Sequence, residues 1–275
     1  MNDNELIQIA KEIRKDIVTM AYVAPAQNHP APSLSCADLV TVLYFDVMRI
    51  DPKNPKWEDR DRFILSKGHA CPCQYAALAR KGYFSREELW KVRGFEVMLQ
   101  GHPDMKKIPG IDMTSGSLGN GLSAGLGMAL YAKAKKKDFH TFVIVGDGEA
   151  QEGAIWEAAI TAAARKLDNL TCIIDYNHLQ SCGSTDKIAP MHPFVDKWKA
   201  FGWETIEIDG HDVHEIRSAL RMSVAGMGRP TAIIAHTIKG KGVSFMEGNN
   251  IWHARRPTDE EYKQAMKELE EGYVR

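Results

Sequence analysis

The sequence has no surplus of charge of either sign. Its 275 residues carry 35 basic and 36 acidic side chains, a net charge of −1. That balance removes the electrostatic basis for nucleic acid or an anionic membrane as main partner. No apolar run approaches the ~20 residues of a membrane helix. Met1-Asn2-Asp3-Asn4-Glu5 lacks the basic-then-apolar order of a secretory signal. Cysteine is sparse: Cys36, Cys71, Cys73, Cys172 and Cys182 form an odd, scattered set, whereas a disulfide scaffold needs a dense, even one. Reduced thiols in the cytoplasm are the expectation. Cys71-Pro72-Cys73 has no second pair to complete a zinc site and is one residue short of a C-x-x-C redox motif. Its thiols are expected to act as small buried hydrophobes. Repeats, low-complexity tracts and linkers are also missing. At 44% hydrophobic and 26% charged residues, the chain has an ordinary globular composition.

What is present is a rhythm. Leu6, Ile9, Ile13, Ile17 and Met20 recur at steps of three and four, which predicts a helix over Glu5–Ala24. A second helix is expected over Cys36–Met48, capped by Ser35 with Asp38 in its first turn. Pro52 and Pro55 break the chain, and Phe63-Ile64-Leu65 reads as a strand. A Gly- and Ala-rich helix, Gly119–Lys135, then precedes a strand over Thr141–Val145. A helix through Trp156 and Ala164 leads to a strand over Leu170–Asp175. Phe194–Phe201 leads to Glu204–Ile208, Val213–Val224 leads to Thr231–Ala235, and Thr258–Glu271 closes the chain as a charged helix. Short apolar strands alternating with helices predict one doubly wound α/β domain, with a mainly parallel sheet and helices on both faces. In such a sheet ligands sit at the carboxyl ends of the strands.

Those ends carry unusual residues. The strand over Thr141–Val145 runs into Gly146-Asp147-Gly148-Glu149, and the next strand ends in Asp175-Tyr176-Asn177-His178-Leu179-Gln180. Two glycines let the backbone approach a ligand closely, and Asp147 offers a hard oxygen ligand. The following helix is expected to begin at the same spot and to present its free N–H groups. Neighbouring parallel strands bring Asn177 beside Asp147. A carboxylate, an amide oxygen and a backbone carbonyl make a sparse oxygen site, which magnesium uses when a diphosphate completes its shell.

With these residues in view, the sequence resembles thiamine diphosphate enzymes in their metal and diphosphate motif. The wider chain is similar to the N-terminal half of transketolase, especially where transketolase is split into two subunits. Seven stretches carry the likeness in order: Ser66–Ala70, Gly101–Asp104, Thr114–Gly121, Gly146–Gly148, Asp175–Asn177, Asp209–Asp212 and Lys239–Gly242. The resemblance implies that Asp147, Asn177 and the Leu179 carbonyl hold a divalent metal (Mg2+, or Ca2+ or Mn2+). It implies cofactor contacts from His69, Gly116, Ser117, Leu118, Gly148, Glu149, Asn177 and His253. His29, His69, His102 and His253 are the implied catalytic residues, with His69 and His253 near the diphosphate. Glu152 and Glu157 match carboxylates found between paired active sites.

Gly119-Asn120-Gly121-Leu122-Ser123-Ala124 also spells the G-x-G-x-x-A of a dinucleotide turn. That turn must follow a strand, and Pro109 and Gly110 make the preceding segment a poor one. His29, His69 and His102 sit in loops beside proline or glycine, where function is often carried. An unperturbed pKa of ~6.5 suits proton exchange with sugar hydroxyls. His140, His192, His214 and His236 are read as ordinary structural or solvated side chains.

The chain departs from the family's pattern in places. Asn28 stands where the family usually has glycine, and Pro30 to Ser33 reshape the loop after His29. Ser181-Cys182-Gly183 replaces an Ile-Asp-Gly-like continuation. Arg255 and Arg256 add positive charge that faces either an anionic substrate or a partner chain. The resemblance further implies that residues 1–275 are one thiamine diphosphate- and metal-binding domain, lacking the pyrimidine-binding and C-terminal domains. A C-terminal partner subunit would complete the active site in a cytoplasmic α2β2 heterotetramer of the pentose phosphate type. Its substrates would be sugar phosphates, or a branched, sulfonated or deoxy ketose. Alternatives are the α subunit of a 2-oxoacid dehydrogenase-type enzyme, or a cofactor-binding subunit without catalytic output.

Overall fold

The computed structural model describes residues 1–273, so Val274 and Arg275, the last two positions of the expected domain, lie outside the described residues. The chain opens with α1 (Asp3–Val23), α2 (Pro30–Ser35), α3 (Ala37–Val42), β1 (Arg62–Leu65) and α4 (Cys71–Lys81). It continues through α5 (Asn120–Lys135), β2 (Thr141–Gly146), α6 (Gly153–Ala164) and β3 (Leu170–Tyr176). A small antiparallel ribbon follows, β4 (Leu179–Gln180) with β5 (Gly183–Ser184), and then α7 (Thr185–Ile188). The remainder is α8 (Phe194–Ala200), β6 (Glu204–Asp209), α9 (Val213–Val224), β7 (Thr231–His236) and α10 (Asp259–Glu271).

The main sheet has the order β1-β2-β3-β7-β6, and every pairing in it is parallel. Alternation along its strands builds two cores. Phe142, Ile144, Ile173 and Ile233 face one side and pack with Leu6, Ile13, Leu78 and Ile216. Val143, Val145, Ile174 and Ile234 face the other and pack with Leu122, Ile155 and Trp198. Helices therefore cover both faces, the doubly wound architecture expected from the alternation of elements. The outer helices are capped by the side chains the sequence offers. Asn2 and Glu5 close a reciprocal cap on α1, and Thr258 and Glu261 do the same on α10.

Two expectations fail. Cys36–Met48 is not one helix capped by Ser35. Pro30 enters at the first turn of α2, where proline is tolerated, so Ser35 lies at the end of that helix. A kink at Cys36 (φ −98°, ψ 11°) separates α2 from α3, and a wider π turn over Leu43–Val47 follows. The Ser35 hydroxyl bonds Asp175 in β3 and the Pro32 carbonyl within α2, and caps no helix start. The helix after Gly146-Asp147-Gly148 also starts late. A short 3-10 turn, Glu149–Gln151, intervenes, and α6 begins only at Gly153.

Helix α5 approaches the sheet through Gly125, where an added Cβ would stand 2.5 Å from a Val143 methyl, whereas nothing lies within 4 Å of the corresponding point at Gly127. Gly125→Ala is expected to lower stability by about 1–3 kcal/mol through overpacking. Gly127→Ala is expected to raise it by about 0.5–1 kcal/mol through helix propensity. Urea unfolding of both variants checks the pair, and equal effects would contradict the packing assigned to α5.

Candidate active site at the strand ends

Parallel pairing puts Gly146 opposite Asp175, and the Asp147 N–H donates to the Asp175 carbonyl at 3.3 Å. Asp147 and Asn177 thus emerge from adjacent strands, as the thirty-residue separation implies. Asp175 itself is fully buried and lies near the end of β3 as a hub. Its carboxylate accepts from Ser35 Oγ (2.5 Å), Thr237 Oγ1 (2.5 Å), Asn177 Nδ2 (3.2 Å) and Lys67 Nζ. Lys67 also donates to the Pro32 carbonyl at 2.8 Å. Burial disfavours both charges, but each holds the other ionised. The pKa of Asp175 is lowered and that of Lys67 raised. One buried pair therefore joins the ends of β1, β3 and β7 to α2.

Above it lies a cavity of about 340 Å³. Larger depressions occur elsewhere, one of about 600 Å³ beside α1 and α10, but the strand-end cavity is the one that gathers the predicted residues. His29, His69, Gly116, Leu118, Asp147, Gly148, Glu149, Asn177, Leu179 and His253 all line it. Ser117 is absent from its lining and accepts from the Asn120 amide at 2.9 Å. His102 is absent from it too, but packs against Gly116, where a Cβ would stand 2.8 Å from its ring. Gly116 (φ +143°) is left-handed as well as crowded, so both space and backbone select glycine there. Glu152 lines the cavity, whereas Glu157 lies further along α6, outside it.

Three histidine rings form a triangle, with centroids 5.2 Å apart for His29–His69, 5.5 Å for His29–His253 and 5.2 Å for His69–His253. Burial, reinforced by Arg93 and His102, pushes His29 down to about 4. Burial and Lys239 push His253 down to about 3, and burial with Lys67 nearby puts His69 well below its ordinary value. His102 is lowered by burial and Arg93. These imidazoles are neutral at physiological pH, so each offers one acceptor nitrogen and one N–H. The Nδ1 atoms of His29 and His253 are buried without a hydrogen-bond partner. Orphaned polar atoms around a cavity are what a polar ligand would satisfy.

Asp147, Asn177 and the Leu179 carbonyl offer oxygen to a hard divalent cation. Burial, with Asp175 close by, raises Asp147 to about 6, a cost that a bound cation would reverse. Asn177 Oδ1 accepts from the Leu179 N–H (3.1 Å), and the Leu179 carbonyl accepts from Lys239 Nζ (3.4 Å). Glu149 turns inward. Its carboxylate accepts from Ser66 Oγ and from the N–H groups of Gly119 (2.9 Å) and Gly146 (3.1 Å), locking three loops together.

Lys67, Lys239, Ser35, Thr237 and Arg93 were not singled out from the sequence as site residues. Lys67 comes two residues after an apolar strand, a signal that existed. Lys239 is lowered to about 8 by burial and by Lys67, and Arg93 Nη1 is buried without a partner against Gly101. Lys239 opens one of the seven matching stretches, a signal that existed, whereas Arg93 shows in no linear pattern.

Residues 3–272 match the family described as transketolase, thiamine diphosphate binding domain. A 6-deoxy-6-sulfo-D-fructose transketolase subunit from a Clostridium species is 48% identical over 243 residues, covering 88% of each chain. One of the apulose-4-phosphate transketolase subunits of Phocaeicola vulgatus is 44% identical over 258 residues, covering 94% of this chain and 91% of that one. Among solved structures, transketolase from Leishmania mexicana superposes with a TM-score of 0.88 at 29% identity, covering 98% of this chain and 41% of that one. Transketolase from Campylobacter jejuni gives 0.88 at 30% identity, covering 98% and 43%. The chain thus spans about two fifths of those longer proteins.

The buried charges make two outcomes measurable. Lys67→Met strands the Asp175 carboxylate and is expected to cost about 3–5 kcal/mol in urea unfolding. Adding Asp175→Asn should recover a substantial part of that loss, and strictly additive effects would contradict the pairing. The second outcome concerns pH. Unfolded histidines titrate near ~6.5, above the folded values, so the unfolded state takes up protons that the folded state refuses. Stability contributed by His29, His69 and His253 is present at pH 7 and falls as pH drops toward their folded values. The thermal midpoint should fall between pH 7 and pH 5, and His253→Asn should flatten that fall.

Proposed function

The chain belongs to the transketolase family and is a transketolase subunit, and from that premise we propose how its strand-end cavity works. The observation that carries the reading is the convergence of Asp147, Asn177 and three neutral histidines on one cavity above the Lys67–Asp175 pair. Asp147, Asn177 and the Leu179 carbonyl would hold Mg2+. Lys239 and Gly148 would receive the diphosphate of thiamine diphosphate, with Gly116 and Leu118 shaping the wall beside it. When bound, that cofactor supplies a nucleophilic carbon and an electron sink for cleaving a ketose carbon–carbon bond. His29, His69, His102 and His253 would bind the sugar hydroxyls and move protons to and from them. Their neutral form at physiological pH supports that assignment, since a proton acceptor must arrive without its proton.

The reaction proposed is transfer of a two-carbon ketol unit from a ketose to an aldose. The donor class proposed is an anionic ketose, carrying a phosphate or sulfonate. The sulfofructose and apulose-4-phosphate specificities in the relatives' names support this class, with the pentose phosphate sugars alongside. Residues 1–275 would act as one cofactor-binding domain, and a separate C-terminal subunit would supply the pyrimidine-binding half. Relatives of similar length named as subunits support that division. Pairing into an α2β2 assembly is supported by apolar side chains exposed on and next to α5 and α6, including Leu118 (40%), Tyr131 (51%) and Ile160 (57%). Four free cysteines are buried and no described helix is long and apolar enough to cross a membrane, in keeping with a cytoplasmic enzyme.

Ketol transfer, assayed with xylulose 5-phosphate, 6-deoxy-6-sulfofructose and apulose 4-phosphate as donors, tests the reading. The chain is expected to be inactive alone and active with Mg2+, thiamine diphosphate and the C-terminal subunit encoded beside it. In the mixture, His69→Ala and His102→Ala are each expected to lower kcat/KM by about 10²–10⁴-fold. Activity in the chain alone would contradict the division of labour, and full activity in either variant would contradict the histidine assignment.

A further inference from the structure

Across the loop from the cavity stands a cluster that the function above does not use. His178 follows β3 closely, Asp186 lies in α7, and His192 precedes α8. Three separate segments thus deliver two imidazoles and a carboxylate to one point, with their ligand atoms within 4.8 Å of one another. Among the described residues, this trio is the group of histidine, cysteine and acidic side chains that meets that distance.

We propose that His178, Asp186 and His192 form a second metal site, for a borderline transition-metal ion such as Zn2+ or Co2+. His192 Nε2 is 3.1 Å from Asp186 Oδ1, and His178 Nδ1 is 3.7 Å from Asp186 Oδ2. A tetrahedral ion with bonds of about 2.0–2.1 Å holds its ligand atoms about 3.3 Å apart. These two separations, one to each oxygen of Asp186, lie on either side of that value, and all the ligand atoms lie within 4.8 Å of one another, so side-chain movement about Asp186 closes the shell. Two imidazoles and one carboxylate are a nitrogen-rich set that suits zinc and its neighbours, not Mg2+. The oxygen set at Asp147 and Asn177 has the opposite preference.

The rings are already held in place. Tyr176 packs against both, with its centroid 4.1 Å from that of His178 and 5.9 Å from that of His192. Its hydroxyl is 2.9 Å from His192 Nε2, where it can complete the coordination shell or yield to water. His178 also stacks on His236, whose Nε2 pairs with Glu207 at 2.7 Å. All three ligand side chains are 42–56% exposed, open to an ion from solution.

The site has a structural consequence for the cavity. The segment between its ligands contains Leu179, Gln180 and Ser181, which line the cavity. Thr185 Oγ1 reaches Asp147 Oδ2 at 3.4 Å, and the Ala189 carbonyl accepts from Gln151 Nε2 at 3.0 Å. An ion on His178, Asp186 and His192 would pin both ends of this loop and fix the cavity's rim.

The full chain, freed of metal and then supplied with Mg2+ and thiamine diphosphate, is titrated with Zn2+ by calorimetry and with Co2+ by visible absorption. One equivalent of each is expected to bind, Co2+ with the intense visible band of a tetrahedral centre. His192→Ala and Asp186→Asn, both at exposed positions, should each weaken Zn2+ binding by at least about tenfold. Asp147→Asn, which keeps a side-chain oxygen toward Thr185, should weaken Zn2+ binding far less than either of those variants. Zn2+ binding indifferent to both His192→Ala and Asp186→Asn would overturn the proposal. So would a Zn2+ site that vanishes with Asp147→Asn, or no stoichiometric binding at all.

Discussion

The structure turns on one buried ion pair. Asp175 lies near the end of the central strand, and Lys67 crosses from the end of β1 to meet it beneath the cavity floor. Burying two charges is expensive, and the pair is stable only because the remaining hydrogen-bonding positions are filled. Ser35, Thr237 and Asn177 fill those on Asp175, and the Pro32 carbonyl accepts a hydrogen bond from Lys67. These partners come from α2, the end of β7 and the end of β3. The pair therefore fixes where four segments stand relative to one another, and so where Asn177 and the His29 loop stand.

Charge set by the pair spreads into the cavity. Lys67 helps keep His69 and His253 neutral and lowers Lys239, while Asp175 makes the ionised form of Asp147 costly. A site prepared in this way has proton acceptors that are empty at physiological pH. It also has an acid whose charge is stabilised by an incoming cation. Both suit a reaction on sugar hydroxyls next to a metal-bound diphosphate.

Much of this was legible in the sequence, and for physical reasons. Apolar runs in Thr141–Val145 and Leu170–Asp175 dictate buried parallel strands, and parallel pairing brings Asp147 and Asn177 together. The helix expected over Val213–Val224 has those bounds as α9, with Asp212 capping it. The failures were local. A serine before an apolar run reads as a helix cap, but Ser35 donates to a carboxylate 140 positions away. Gly146-Asp147-Gly148 reads as the start of a helix, yet Glu149 is drawn inward to bind Gly119 and Gly146, and this delays α6. Arg93 acquires its meaning from burial, which no linear pattern displays. His192, read as an ordinary side chain, gained its partners from the path of the loop.

The central claim is that this strand-end cavity binds thiamine diphosphate through a divalent metal held by Asp147 and Asn177. Calorimetric titration of thiamine diphosphate into the full chain with its partner subunit, with and without Mg2+, tests it most directly. Binding is expected to require Mg2+ in the native chain and to be lost in Asp147→Asn. Binding of equal strength without Mg2+, or undiminished in Asp147→Asn, would contradict it.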